Sequence, residues 1–194
     1  MLGICHRINS IEELKKIPRH FGVEIDVRDY DNDLILAHDP WTHGESLEDY
    51  LKVFDHAILI VNIKCEGIEL KVLDLLKKYK ITDYFFLDCT YPAIIKLINE
   101  GESSIALRLS EYESIESILT LKDKVKWIWV DCFTRPGIKL TEIEKIKGKN
   151  ICIVSPDLHG NTSLIEDHFE FYSKLSIKNL AVCAKKDNLE FWLK

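Results

Sequence analysis

What most constrains the fold of this chain is a rhythm. A short apolar run, β-branched or aromatic, gives way to apolar residues at helical spacing, and the unit returns about every 24 residues. The strand-like runs fall at residues 2–6, 23–27, 57–64, 84–88, 104–109, 127–131, 151–155 and 180–184. Between them the helical pattern is clearest at Ile68, Val72, Leu75, Leu76 and Tyr79. Four segments place a hydroxyl residue three positions before an acid: Ser10 with Glu13, Ser46 with Asp49, Ser110 with Glu113 and Thr141 with Glu144. Each reads as a capping box at a helix start.

Continuous apolar strands alternating with helices predict a parallel sheet covered on both faces. A closed (β/α)8 barrel and an open, doubly wound sheet both satisfy that pattern. Eight repeats favour the barrel, and no glycine-rich turn follows the first strand to suggest a dinucleotide-binding sheet. The expectation is therefore an α/β protein, a compact (β/α)8 TIM barrel forming a single domain over residues 1–194. Its loops must be short, because such barrels typically run to roughly 250 residues. The longest loop falls at residues 28–45, and only residues 185–194 remain for a closing helix.

Composition narrows the partners. A net charge of −6 with no basic patch argues against nucleic acid. No apolar run approaches the roughly 18 residues that suggest a spanning helix. The opening residues lack the basic flank and long apolar region of a signal peptide. The six cysteines, at positions 5, 65, 89, 132, 152 and 183, form no CxxC pair and show no metal-finger spacing. Each lies within or just after an apolar run, where a reduced thiol packs as a small hydrophobe, so a cytoplasmic protein without disulfides is expected.

The chemistry collects in residues 22–40. Glu24 and Asp26 stand two apart on a strand, so both point to one side while Val23, Ile25 and Val27 point to the other. Two acids on one buried face are costly unless something positive sits between them. His38 follows a dozen residues later, and His6 stands near the chain start. The other strand-like runs also end in polar residues: Asn62 and Lys64, Asp88, Arg108, Asp131, Ser155 to Gly160, and Lys185 with Lys186. In a barrel these ends share one mouth, where barrel enzymes keep their chemistry. That loops begin there explains any one of these residues, but not acids, bases and histidines together.

His6-Arg7, then Glu24-x-Asp26, then His38-Asp39-Pro40, then a strand ending in Lys64, resembles the glycerophosphodiester phosphodiesterases, among the phosphatidylinositol-phospholipase-C-like barrels. The likeness is detailed over the first 66 residues and is only a strand–helix rhythm beyond. It implies a metal-assisted phosphodiesterase acting on a small-molecule phosphodiester such as a glycerophosphodiester. His6 and His38 would be general acid and base, a task that suits an imidazole near neutral pH. Glu24, Asp26 and Asn62 would hold a divalent cation, Mg2+ or Ca2+, through oxygen ligands. Arg7 and Lys64 would bind the phosphate, with Arg108 at the end of the fifth strand as a further substrate-binding candidate.

The chain departs from that family at Asn62, where the third carboxylate would stand, at Ile8 in place of a glycine, and in lacking an insertion after the His-Asp motif. Asn62 supports an alternative: a non-catalytic or degenerate barrel that binds a phosphorylated or sugar ligand. A structural ion-pair network of Glu24 and Asp26 with Lys64, Arg7 or Arg108 would also satisfy the acids without metal. A barrel lyase or isomerase using Lys64 as base or Schiff-base amine ranks last. Asp157 and His159 read as loop-shaping, Trp127 and Trp129 as packing, and Trp41 as a cover for a ligand.

Overall fold

All eight strand-like runs form strands, and two short strands join them. The computed structural model describes residues 1–194. In chain order the strands are β1 (Leu2–Cys5), β2 (Gly22–Tyr30), β3 (Asp33–Leu36), β4 (Glu45–Ser46), β5 (Leu59–Ile63), β6 (Tyr84–Leu87), β7 (Ala106–Leu109), β8 (Trp127–Val130), β9 (Asn150–Val154) and β10 (Leu180–Ala184). The helices are α1 (Ile11–Leu14), α2 (Leu47–Val53), α3 (Glu69–Lys78), α4 (Tyr91–Asn99), α5 (Ile115–Leu121), α6 (Leu140–Ile143), α7 (Ile165–Ser173) and α8 (Lys186–Trp192). The α/β class is thus as expected. None of the helices is long and apolar enough to cross a membrane. All six cysteines are free thiols, four of them buried.

The chain divides into a contiguous unit, Arg7–Ile105, and a split unit of Met1–His6 with Ala106–Lys194. In the contiguous unit β2, β5 and β6 run parallel, with Val23 opposite Leu59, Asp26 opposite Asn62 and Leu59 opposite Tyr84. On the other side of β2, β3 and β4 add an antiparallel meander. The turn between β2 and β3 explains this addition. Asp31 (φ 51°) and Asn32 (φ 71°) both adopt the left-handed region, as a two-residue hairpin turn requires and as these side chains tolerate. Gly44 lets β4 close on β3, because a Cβ there would lie 2.1 Å from the Leu36 carbonyl oxygen.

Helix α3 buries Val72, Leu73 and Leu76, close to the predicted stripe, and α4 buries Ala93, Ile94 and Leu97. Tyr50 of α2 is fully buried and donates its hydroxyl to the Ile8 carbonyl (2.9 Å), which ties α2 to the loop after Arg7. Ser10 and Ser46 cap α1 and α2 through their hydroxyls, at 3.2 and 3.3 Å from the third backbone N–H. The other two capping boxes are corrected. The Ser110 hydroxyl does bond Glu113 (2.7 Å), but within a turn, and α5 begins later with Ser114 as its N-cap. Thr141 lies inside α6, which starts at Leu140.

The split unit is all-parallel, in the order β1-β10-β9-β8-β7, with Leu2 opposite Ala181 and Ala106 opposite Trp127. Helix α8 packs on β1: the Leu189 side chain lies 3.1 Å from where a Cβ on Gly3 would stand. Trp192 is buried, and its indole N–H donates to the buried Ser155 hydroxyl (2.9 Å). Burying a side chain of that size stabilises by about 2–3 kcal/mol, provided its N–H finds a partner as it does here.

Candidate functional site

The acids of β2 sit where the sequence placed them, side by side on one face, and neither has any exposure. Their partners come from three directions. The Arg7 backbone (φ 55°) turns so that its N–H donates to Glu24 Oε2 (2.7 Å), and the Ile8 N–H reaches the Glu24 carbonyl (2.8 Å). Asn9 pairs reciprocally with Asp26. Its Nδ2 donates to Asp26 Oδ2 and its Oδ1 accepts the Asp26 N–H, each at 2.8 Å. From β5, Asn62 lies in register with Asp26, and its Nδ2 donates to Glu24 Oε1 (2.9 Å).

Two cations flank Asp26. Arg7 Nε stands 3.4 Å from Oδ2, and Lys64 Nζ stands 3.2 Å from Oδ1 and 3.9 Å from Asp88 Oδ2. At an effective dielectric near 20 the Lys64–Asp26 attraction is about 5 kcal/mol before desolvation. Glu24 is less favoured. Burial, followed by the neighbouring Asp26 charge, pushes its carboxyl up to about 7, although the bonds from Asn62 and the Arg7 N–H oppose the shift.

His38 stands at the rim of the same unit. The Ala37 N–H donates to the Asp26 carbonyl (3.0 Å), so His38 is one residue beyond the acid strand's own hydrogen bonds. Arg28 fixes that corner by donating to the carbonyls of Ala37 (3.1 Å), His38 (2.9 Å) and Lys64 (3.4 Å). His38 Nδ1 bonds Asp39 Oδ1 at 2.7 Å. A neutral imidazole held this way keeps its proton on Nδ1 and leaves the Nε2 lone pair for a ligand. The same bond holds the Asp39 carboxyl below its ordinary value. Trp41, in the following turn, is 90% exposed, free to lie over a ligand.

The contiguous unit therefore gathers Arg7, Glu24, Asp26, Asn62, Lys64 and His38. His6 and Arg108 belong to the split unit. His6 follows β1, its N–H bonded to the Ala184 carbonyl (2.9 Å). Arg108 is engaged in ion pairs, with Nη2 on Asp131 (2.6 Å) and Nε on Glu113 (3.2 Å).

Several partners escaped the sequence reading. Asn9, two residues past Arg7, belongs to no motif that marks it as the partner of Asp26. His159, read as loop-shaping, places Nε2 2.7 Å from Asp131 Oδ1, beneath the Phe133 ring at 4.7 Å. Glu111 borders a cavity of about 450 Å3, and its carboxylate accepts the N–H groups of Phe133, Thr134 and Arg135. Desolvation raises that carboxyl, but the backbone N–H bonds prevail and hold it near 2.

No family model matches the chain, and no curated protein or solved structure matches it. The fit of a divalent cation rests on the donor set. Mg2+ or Ca2+ needs about six oxygens with free lone pairs. Both Glu24 oxygens and Asp26 Oδ2 already accept hydrogen bonds, and Asp26 Oδ1, which accepts none, lies 3.2 Å from the Lys64 ammonium. Asn62 turns its amide nitrogen to Glu24, and its oxygen is buried without a hydrogen bond. Asp26 has both Arg7 and Lys64 against it, and burial favours the neutral form of Glu24, so the pair carries little negative charge. As arranged, these residues do not fit a divalent ion.

Proposed function

We propose that this chain binds and cleaves a small phosphodiester of the glycerophosphodiester type, by histidine acid–base chemistry. Three parallel strands in the contiguous unit and five in the split unit make eight, the number a (β/α)8 barrel requires, and that is the architecture we propose for it. The observation that carries the functional reading is the Asp39–His38 pair, set one residue past the hydrogen bonds of an acid strand that positions Arg7 and Lys64.

In this reading Glu24 and Asp26 never touch substrate. Sealed from solvent, Asp26 anchors two cations, a planar guanidinium and a point-charge ammonium, to receive the non-bridging phosphate oxygens, while Glu24 holds the Arg7 backbone. His38 Nε2 takes the proton from a water or from a neighbouring hydroxyl of the substrate. That oxygen bonds to phosphorus, the P–O bond to the alkoxide breaks, and the leaving oxygen is protonated by the second histidine. His6, the residue preceding Arg7 in the chain, is assigned that role. The negative charge growing on the phosphate is met by Arg7 and Lys64.

A second reading has an observation of its own: ion pairs on both sides of Asp26 and complete burial of Glu24 also suit a scaffold that binds a phosphorylated or sugar ligand without turnover. Incubation with bis(p-nitrophenyl) phosphate and with glycerophosphocholine separates the two. Turnover that falls by about 100-fold or more in H38A and H6A, and by less in D39N, supports catalysis. Turnover unchanged in H38A, or absent from the wild type, refutes it. Calorimetric binding of glycerophosphate without turnover establishes the second reading.

A further inference from the structure

We propose that Lys64 is the resident cation of this site, an ammonium group in the position a divalent ion would take, so that the phosphate is bound and polarised without metal. The observations are geometric. Lys64 Nζ lies 3.2 Å from Asp26 Oδ1 and 3.9 Å from Asp88 Oδ2, between two carboxylates from different strand ends. The Lys64 N–H donates to the Val27 carbonyl (2.8 Å), and Arg28 reaches the Lys64 carbonyl (3.4 Å), so both of its backbone groups are fixed. Its side chain is only 17% exposed, so it is held inward rather than sampling solvent.

Charge and hydrogen bonding agree with that placement. A divalent ion bonded to Asp26 Oδ1 would stand within a few ångströms of the ammonium and be strongly repelled. The remaining carboxylate oxygens are committed to N–H donors: Arg7 and Asn62 on Glu24, and Asn9 on Asp26. Asn62 contributes to the exclusion. A carboxylate at that position would add a negative charge and two lone pairs, whereas the amide spends its N–H on Glu24. An ammonium supplies one positive charge and three N–H donors, enough to hold Asp26 and still offer a hydrogen to a phosphate oxygen.

The inference depends on the phosphodiester reading only for the identity of the ligand. The cation assignment is tested with Mn2+ alone, by electron paramagnetic resonance on chelator-treated protein. Wild type and E24Q are expected to leave millimolar Mn2+ equally free. K64E, which replaces the ammonium by a third carboxylate, is expected to bind one equivalent at least tenfold more tightly than wild type, and the double variant K64E/E24Q to lose it. A stoichiometric wild-type Mn2+ site that E24Q weakens overturns the proposal, as does a folded K64E that gains nothing. If K64E does not fold by circular dichroism, the comparison of wild type with E24Q still decides. Turnover is read separately: activity that survives chelation is expected, and activity restored only by added divalent ion overturns the assignment. A protein with neither turnover nor Mn2+ binding refutes the phosphodiesterase reading and leaves the cation assignment standing.

Discussion

Glu24 should make folding stability decline as pH rises through neutrality, and E24Q should remove that decline. Its carboxyl is pushed up to about 7 in the folded chain from an ordinary 4.5, by burial first and Asp26 second. Below about 4.5 both folded and unfolded states hold the proton, and nothing is lost. Between 4.5 and 7 the unfolded chain has released it while the folded one retains it, so raising the pH favours unfolding. Above 7 the loss is complete. The interval of about 2.5 pH units at 1.36 kcal/mol each corresponds to about 3 kcal/mol.

Asn62 makes the variant a clean one. Its Oδ1 is buried with no hydrogen bond, so an amide flip offers an acceptor to a protonated Glu24 or to a glutamine amide, while the other oxygen keeps the Arg7 N–H. Urea unfolding of wild type and E24Q at a series of pH values measures the difference directly and cancels the titrating groups that do not interact with Glu24. The two proteins should match near pH 4, and E24Q should be more stable by about 3 kcal/mol near pH 8. A difference that does not change with pH, or a wild type that gains on E24Q as pH rises, would show that Lys64 and Arg7 overcome the desolvation of Glu24.

Three further outcomes follow from the same contacts. K64M should destabilise by about 3 kcal/mol in urea unfolding, because Asp26 stays buried with one fewer cation, and D26N should recover part of the loss in the double variant. R108A should cost about 2–3 kcal/mol by the same assay, since Asp131 is almost fully buried and loses a 2.6 Å charged bond. G137A should cost at least about 3 kcal/mol and broaden the amide resonances of Asp131 and Cys132. A Cβ there would stand 1.8 Å from the Asp131 carbonyl oxygen, and only a backbone shift relieves that.

Local signals were legible where one residue type carries them. Runs such as Leu-Ile-Val-Asn-Ile and Trp-Ile-Trp-Val are strands because β-branched and aromatic side chains fill both faces of a parallel sheet. The Glu24 and Asp26 face was legible for a similar reason, because alternation fixes the side; the parallel register that sets Asn62 beside Asp26 is visible only in the structure. The β3 hairpin carried a local signal too, Asp31-Asn32 between apolar runs, which counting long-period units passed over. Ser110 and Thr141 misled because a hydroxyl three residues before an acid also describes a tight turn or an ordinary helical pair. What could not be read is partner choice across strand ends. Arg108 with Asp131, and His159 with Asp131, depend on how loops 23 and 28 residues away fold back, and no local pattern encodes that.

The pairing of β1 with β10 bears on how the protein is made. Leu2 and Ala181 share a ladder, so this contact closes a loop of about 180 residues, and contacts of that kind slow folding. A ribosome adding about 5–20 residues per second needs several seconds to travel from β7 to β10. The contiguous unit has left the exit tunnel long before then, but β1 gains its β10 ladder only once β10 has been made. Nascent chains stalled after β9 should therefore bind chaperones through β1, whose Ile4 and Cys5 are fully buried in the finished molecule.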